Sequence, residues 1–158
     1  MNLKEKKTKL AGLEEVNQLH PIVNELLHKI PGINYIELTH GTNEMGADFV
    51  VSKVDEILDT TVYIGIIIKT ESLLQSNQDV FRQIDECDVE RIIQNGGKKI
   101  YLNEIWIITS GTIANNFQKK VYEKYKNRNI QFIDSLKLIS LIDEYYSFYW
   151  NDIPFLYK

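Results

Sequence analysis

The sequence has little cysteine and no long apolar run, and each shortage excludes a class of protein. The single cysteine, Cys87, can close no internal disulfide and form no cysteine-rich zinc site. Cys87 lies on an apolar helical face, so we expect a buried structural thiol in a reducing cytoplasm. The longest apolar runs, such as residues 64–68, are far shorter than the roughly 20 residues that cross a bilayer. The basic start of the chain is not followed by the apolar stretch of a secretion signal, and we expect no membrane partner.

Histidine and glycine motifs for metals and phosphates are also missing. His20, His28 and His40 do not have the spacing of a zinc site. Residues 95–99 combine glycines with lysines but lack the spacing of a phosphate-binding loop. The sequence therefore excludes a histidine-rich zinc protein and a P-loop nucleotide hydrolase.

The composition and charge predict one globular domain, residues 1–158. Hydrophobic residues make up 44% of the chain and charged residues 25%. A net charge of −4 argues against an indiscriminate nucleic-acid binder. One stretch, residues 112–128, is nevertheless basic and carries Lys119, Lys120, Lys124 and Lys126. This stretch predicts either contacts with the phosphates of a nucleic acid or an ordinary solvated helix face.

The spacing of apolar residues predicts an α/β fold. Three-to-four spacing predicts helices near residues 14–29, 78–94, 112–126 and 135–149. Short β-branched or alternating stretches predict strands near residues 33–38, 48–53, 61–70, 104–110 and 130–134. The order of these elements predicts a mixed central sheet flanked by helices on both faces.

An aspartate and a lysine occupy matching places on two neighbouring predicted strands. Asp48 opens the second strand, and Lys69 ends the strongly apolar third strand. If these strands pair antiparallel, the start of one lies beside the end of the other. Ile67, Lys69 and Glu71 share a face because side chains alternate along a strand. A carboxylate that can hold a hard cation, beside a lysine that can orient water, is typical of hydrolytic sites.

Several short motifs carry a resemblance to a known superfamily. They are Gly41, Glu44, Gly46 and Asp48, then Ile64, Gly65 and Lys69, then residues 82–86 (RQIDE), then residues 105–111 (IWIITSG). Their order and spacing, over about residues 13–145, resemble the PD-(D/E)xK nuclease superfamily, and within it the Mrr-like restriction endonucleases and related antiviral nuclease domains. The resemblance implies a restriction-endonuclease-like fold with a helix–strand–strand–strand–helix–strand core.

The resemblance also implies a metal-dependent endonuclease of restriction or antiphage type, which cuts DNA with Mg²⁺ or Mn²⁺. It implies Asp48 as the main metal ligand, the carbonyl of Ile68 as a further ligand and Lys69 as the catalytic lysine that positions the attacking water. One position departs from the family pattern: Ile67 stands where an acid is expected, two residues before the lysine. Glu71, on the same strand face, is the preferred replacement for that acid, and Glu44, in the preceding loop, is the alternative.

Two more side chains are candidates, and two more interpretations stay open. Gln83 lies on the flank of its predicted helix and can face the cleft, and Glu25 lies on the first helix, where some relatives carry an acid. The departure at Ile67 leaves open a catalytically degenerate domain that binds DNA or a protein partner. The aromatic residues 148–158 leave open a homodimer or a larger defence complex.

Overall fold

The computed structural model describes residues 1–39, 45–93 and 97–151. Its helices are α1 (Leu3–Ala11), α2 (His20–Lys29), α3 (Gln78–Glu86), α4 (Asn115–Lys124) and α5 (Ser135–Tyr145), with a π-helix (Glu15–Leu19) before α2 and a 3₁₀-helix (Ser147–Asn151) after α5. Its strands are β1 (Ile33–Leu38), β2 (Phe49–Asp55), β3 (Thr60–Lys69), β4 (Arg91–Ile92), β5 (Lys99–Ile100), β6 (Glu104–Thr109) and β7 (Asn129–Ile133). None of the described helices has the length and apolar character needed to span a membrane.

The central sheet has five strands in the order β1-β2-β3-β6-β7. Strands β1, β2 and β3 pair antiparallel, whereas β3, β6 and β7 pair parallel. Short β4 and β5 form a separate two-stranded ribbon. The prediction of an α/β fold, with a mixed central sheet flanked by helices, is confirmed. The element order is consistent with a restriction-endonuclease-like fold.

The sheet is covered on both faces, which explains why β3 is almost continuously apolar. Ile64, Ile66 and Ile68 point into a core cluster that includes residues of α2 and α5. Ile67, one residue out of phase, points into the opposite cluster with residues of α3 and α4. The two faces of β3 therefore belong to two separate hydrophobic cores.

The predicted helix at residues 14–29 is wrong in its first part, which is a π-helix. The backbone N–H of Leu19 donates to the carbonyl of Glu14, and that of His20 donates to the carbonyl of Glu15. Pro21, near the start of α2, has no N–H to donate and cannot make the regular bond of a continuous α-helix. The side chain of Glu14 caps the start of the π-helix by accepting from the N–H groups of Val16 and Asn17. Such short π-helical segments are frequent at functional sites.

The predicted helix at residues 78–94 is too long, because α3 ends at Glu86 and the chain then forms β4. Acidic residues in the last turn of a helix and just beyond it oppose its dipole, and Asp85, Glu86 and Asp88 occupy those places. The next residues are rich in β-branched side chains, which favour the ribbon that pairs Arg91 with Ile100. The other predicted elements occur within a few residues of their predicted limits.

The two ends of the described chain pack against each other. Helix α1, which the sequence did not predict, begins with a capping box between Asn2 and Glu5. The amino group of Lys6 lies 2.8 Å from the Oδ1 atom of Asp143. The indole N–H of buried Trp150 donates to the same oxygen at 2.7 Å. Residues 152–158 of the aromatic end lie outside the described residues. The dimer or complex contact predicted there therefore stays a prediction.

Candidate active site

Asp48 is fixed by three hydrogen bonds at the point where β2 begins. Its backbone N–H donates to the carbonyl of Ile66 at 2.8 Å, and its own carbonyl accepts from the N–H of Thr39 at 2.9 Å. Its side-chain Oδ2 accepts from the N–H of Ile68 at 2.8 Å. The residue is only 3% exposed. The predicted antiparallel pairing of these strands is confirmed, and it brings the carboxylate of Asp48 to the last residues of β3.

The carbonyl of Ile68 lies beside this carboxylate. In an extended strand the N–H and the C=O of one residue point to the same side. The N–H of Ile68 points to the β2 side, where it meets Asp48, so its carbonyl points there as well. The pairing of β2 with β3 ends at Phe49 and Ile66, and β2 therefore leaves this edge of β3 open beyond that point. The predicted metal-ligating carbonyl thus faces the predicted metal-ligating aspartate.

Glu15, in the π-helix, lies near the same edge of β3, beyond Ile68. The backbone N–H of Thr70, two residues beyond Ile68, acts on the Glu15 carboxyl and favours the charged form, which lowers its pKa. Burial raises the pKa of the Glu15 carboxyl above its ordinary value, and the nearby charges of Asp48 and Glu71 add to that increase. The ammonium of Lys69 and the Thr70 N–H oppose it. Along one strand edge, two carboxylates therefore flank one carbonyl.

Lys69 is buried at the end of β3, with 8% of its surface exposed. Its ammonium lies 3.6 Å from the Oδ2 atom of Asp79, in the first turn of α3. It also acts electrostatically on Glu15. The predicted proximity of Asp48 and Lys69 therefore comes with two acids that the prediction did not include, Glu15 and Asp79.

His20 stands behind Asp48, at the start of α2. Its Nε2 atom lies 3.9 Å from the Oδ1 atom of Asp48. Its ring packs edge-to-face against Phe49, with the ring centroids 5.8 Å apart. The side chain is buried and packs next to Asp48 at the border of the site.

Ile67 contributes nothing polar to this group. Its side chain is fully buried in the core formed with α3 and α4, and it pairs with Ile107 of β6. Glu71, the preferred replacement acid, is exposed beyond the end of β3, where its Oε1 lies 3.4 Å from the Nδ2 atom of Asn77. Its role as a metal ligand stays a prediction. Glu44, the alternative, lies outside the described residues.

Gln83 faces the segment that leads into Asp48. It is buried, and its Nε2 donates to the carbonyl of Gly46 at 3.3 Å. Gly46 has φ of 88° and lies directly against the backbone of α3 at Gln83. Gln83 therefore positions the segment before Asp48, and its predicted catalytic role stays a prediction.

The four predicted nucleic-acid-binding lysines divide into two pairs. Lys120 and Lys124 lie over the ring of Phe81, and Lys124 approaches Asp85 of α3 at 3.9 Å. Lys119 and Lys126 are exposed and have no such contact with a described ring or acid, and Lys124 is exposed as well. The first pair is partly engaged by the domain itself, whereas the second pair is presented to solvent.

Sequence reasoning missed Glu15, although it considered an acid on the first helix. It chose Glu25, which is exposed on α2. Pro21 was the available signal, because a proline inside a predicted helix marks a break. The π-helix lies just before this break, and it contacts β3.

The carboxylate and carbonyl oxygens of this site are suitable ligands for a hard divalent cation. Mg²⁺ and Mn²⁺ prefer oxygen ligands, and Mg²⁺ usually keeps several waters, so two carboxylates and one carbonyl suffice. The mutual repulsion of Glu15 with Asp48 and Glu71 also favours a cation between them. Within residues 1–39, 45–93 and 97–151, no three Asp, Glu, His or Cys side chains converge into a metal-binding group. A cation here would consequently depend on the main-chain carbonyl and on water.

Comparisons with known proteins add the following. No protein-family model and no curated protein matches the sequence. Among solved structures, the chain is similar to the MspJI restriction endonuclease in complex with a 27-mer oligonucleotide, at 12% sequence identity and a TM-score of 0.43. The match covers 89% of this chain and 28% of that chain, so this chain spans less than a third of that protein's length. At this level of similarity the site must be judged by its own contacts.

Proposed function

We propose that this domain is a metal-dependent DNA endonuclease of the restriction or antiphage type. One observation carries the proposal: at the end of β3 the carboxylate of Asp48 is bound to the N–H of Ile68, and the nearby Glu15 carboxyl is influenced by Lys69, Asp48 and the Thr70 N–H. In this proposal Glu15 supplies the acid that is missing at Ile67. Asp48, Glu15 and the carbonyl of Ile68 would hold Mg²⁺ or Mn²⁺, with Glu71 close enough to contribute through water.

The bound cation would supply Lewis-acid polarisation of a phosphodiester and activation of a water. The rest of the chemistry belongs to the chain. Lys69, which is paired with Asp79 and acts electrostatically on Glu15, presents an ammonium that can orient a water and stabilise negative charge. Asp48 needs no side-chain rearrangement, because its carboxylate is already held by a backbone N–H.

The proposed substrate is DNA, approached by exposed lysines of α4 and of the segment just after it. Lys119 and Lys126 offer positive charge on a chain with a net charge of −4. The buried thiol of Cys87 suits a reducing cytoplasm, where such an enzyme would meet foreign DNA. A homodimer or a larger defence complex would bring two such sites to the two strands.

One observation favours a second candidate, a degenerate domain that binds DNA or a protein partner without cutting. Ile67 is fully buried against α3 and α4, so its side chain is part of the core and not of the site. A chain in which Glu15 did not replace the missing acid would keep the fold and lose the chemistry.

Plasmid cleavage with Mg²⁺ or Mn²⁺ separates the two candidates. The wild-type protein should cut, and Asp48→Ala should not. Because Asp48 is buried and hydrogen-bonded, Asp48→Asn is tested beside it with a melting curve for each. Asp59→Asn, at the exposed turn between β2 and β3, is the matched control and should cut like the wild type. A wild-type protein that binds DNA but cuts with neither metal supports the degenerate candidate.

A further inference from the structure

A cavity next to the segment that leads into Asp48 is lined by a buried arginine whose hydrogen-bonding capacity the described residues use only in part. The cavity has a volume of about 270 Å³ and lies between the ends of β1 and β2 and the segment around β4. Arg91, on β4, lines it and is only 5% exposed. Its Nη2 donates to the carbonyl of Met45 at 2.6 Å. Its Nε and Nη1 atoms have no hydrogen-bond partner among the described residues.

A buried guanidinium in this condition calls for an acceptor. Burial without full hydrogen bonding is costly, and burial lowers the pKa of Arg91 for that reason. The thiol of Cys87 is no counter-charge, because burial raises its pKa to about 12 and it stays protonated. Glu37 acts on Arg91 only at a distance, and its Oε2 accepts from the hydroxyl of Tyr35. The cavity is the place from which an acceptor can reach the arginine.

The remaining lining selects the chemistry of that acceptor. Two carboxylates, Glu37 and Glu90, line the same cavity, and they would repel a phosphate or a carboxylate ligand. Val50 and Ile93 supply apolar walls. The volume is near the lower limit of small-ligand pockets, roughly 300 Å³, which suits one planar ring system rather than a whole nucleotide. The ligand should therefore be neutral and flat, with acceptors on one edge and donors on another.

We infer that this cavity binds a guanine base. Guanine carries two acceptors, O6 and N7, which are the groups that arginine most often contacts, and it carries donors at N1 and at its exocyclic amine. Arg91 would donate to the acceptors, and Glu37 would accept from the donors. Adenine and thymine do not present two adjacent acceptors together with two donors. Cytosine has its two acceptors, O2 and N3, on the same edge as its amine, whereas guanine has its acceptors and its donors on different edges.

The position of the cavity connects it to the site of the proposed chemistry. Thr39 lines the cavity, and its N–H donates to the carbonyl of Asp48. Arg91 holds the carbonyl of Met45, three residues before Asp48. The inference deepens the proposed function, on which it rests for the source of the base, and makes the cavity a specificity subsite of the nuclease. A base held there would select the DNA sequence or structure that is cut.

Binding of free nucleosides tests the cavity without using cleavage. Titration calorimetry without metal should show deoxyguanosine binding at least tenfold more tightly than deoxyadenosine, deoxycytidine or thymidine. Glu37→Gln and Arg91→Lys should each weaken deoxyguanosine binding by about tenfold or more. Glu56→Gln and Arg128→Lys, which change the same residue types outside the cavity, should leave it unchanged. A melting curve accompanies each variant, and if Arg91→Lys does not fold, Glu37→Gln decides.

Three results would overturn the inference: equal binding of all four nucleosides, no effect of Glu37→Gln, or displacement of deoxyguanosine by inorganic phosphate, which would identify an anion site. The cleavage assay remains separate. A protein that binds deoxyguanosine through Glu37 but never cuts DNA keeps the subsite and loses the nuclease proposal. A protein that cuts DNA but does not discriminate among the nucleosides keeps the nuclease and loses the subsite.

Discussion

The carboxylate of Asp48 accepts a hydrogen bond from the backbone N–H of Ile68 at 2.8 Å, twenty residues away in the sequence. This bond continues the β2–β3 ladder with a side chain in the place of a main-chain carbonyl. The Glu15 carboxyl lies near the same edge, where the Thr70 N–H favours its charged form. The candidate site is therefore built around the main chain at the end of β3.

Glu15→Gln should abolish cleavage while leaving the protein folded. Glutamine keeps the shape of the side chain but removes the charge that would hold the cation. We expect a loss of about 100-fold or more in rate and weaker Mg²⁺ binding. Plasmid cleavage and calorimetry measure both. Glu25→Gln, on the exposed face of α2, is the matched control, and a larger loss from that variant would favour the first-helix acid that the sequence suggested.

The stability of the protein should depend on pH through Glu15. Burial raises the pKa of its carboxyl above the ordinary value of 4.5, so the folded chain binds this proton more tightly than the unfolded chain. That stabilisation is fully present below about pH 4.5 and is lost as the pH rises through the raised pKa.

Glu15→Gln removes this titration, so it should be more stable than the wild type at pH 7 and closer to it at about pH 4. Urea unfolding at the two pH values measures the difference. Adding Mg²⁺ at pH 7 should narrow it, because the cation stabilises only the chain that binds it. A difference that is the same at both pH values would contradict the assignment.

Ile67→Glu should not restore a nuclease. The family pattern suggests that this change would supply the missing acid, but Ile67 is fully buried against the α3–α4 layer. An unpaired carboxylate there should cost several kcal/mol, on the order of 3, and unfold part of the population at 37 °C. Ile67→Val is the control and should cost about 1 kcal/mol. A folded Ile67→Glu protein with increased Mg²⁺-dependent cleavage would show that the side chain can turn into the site.

Gly46→Ala should be more damaging than its small size suggests. Gly46 has a positive φ, and an added methyl group would meet the carbonyl of Gln83. Gly32 has the same φ of 88° but nothing within 4 Å of the added group. Gly32→Ala should therefore lose only the conformational cost, about 1 kcal/mol. Gly46→Ala should lose about 3 kcal/mol and reduce cleavage. Equal melting temperatures for the two variants would rule out the close contact.

The lysines of α4 and of the segment just after it should differ in their effect on nucleic-acid binding. Replacing exposed Lys119 and Lys126 with alanine should lower the dependence of log affinity on log salt by about 2, because each phosphate contact releases counterions. Replacing Lys120 and Lys124 should lower it less and should reduce stability, since both lie over Phe81. Affinity measured at several salt concentrations gives the slopes. Identical slopes for the two double variants would contradict the division.

Elements with strong periodicity were predictable, because each buries one apolar face or two. The strands near Asp48 and Lys69, and their antiparallel pairing, follow from alternation and from β-branched composition. The shortening of α3 was not predictable from periodicity, because Arg91 and Ile92 continue the helical spacing while forming a strand. Glu15 was missed because its approach depends on the π-helix, which is set by the missing N–H of Pro21. Local backbone chemistry, rather than the apolar pattern, decides both cases.

Backbone groups cannot be removed by a point mutation, and this has a consequence for recognising related chains. The support for Asp48 is the amide of Ile68, so almost any side chain at that position preserves it. In the proposed site, an acid from the π-helix would leave the position of Ile67 free to be hydrophobic. Searches that demand an acid two residues before the lysine would pass over such chains. A pattern that joins an acid just before a helix-interrupting proline to the later aspartate and lysine would retrieve them.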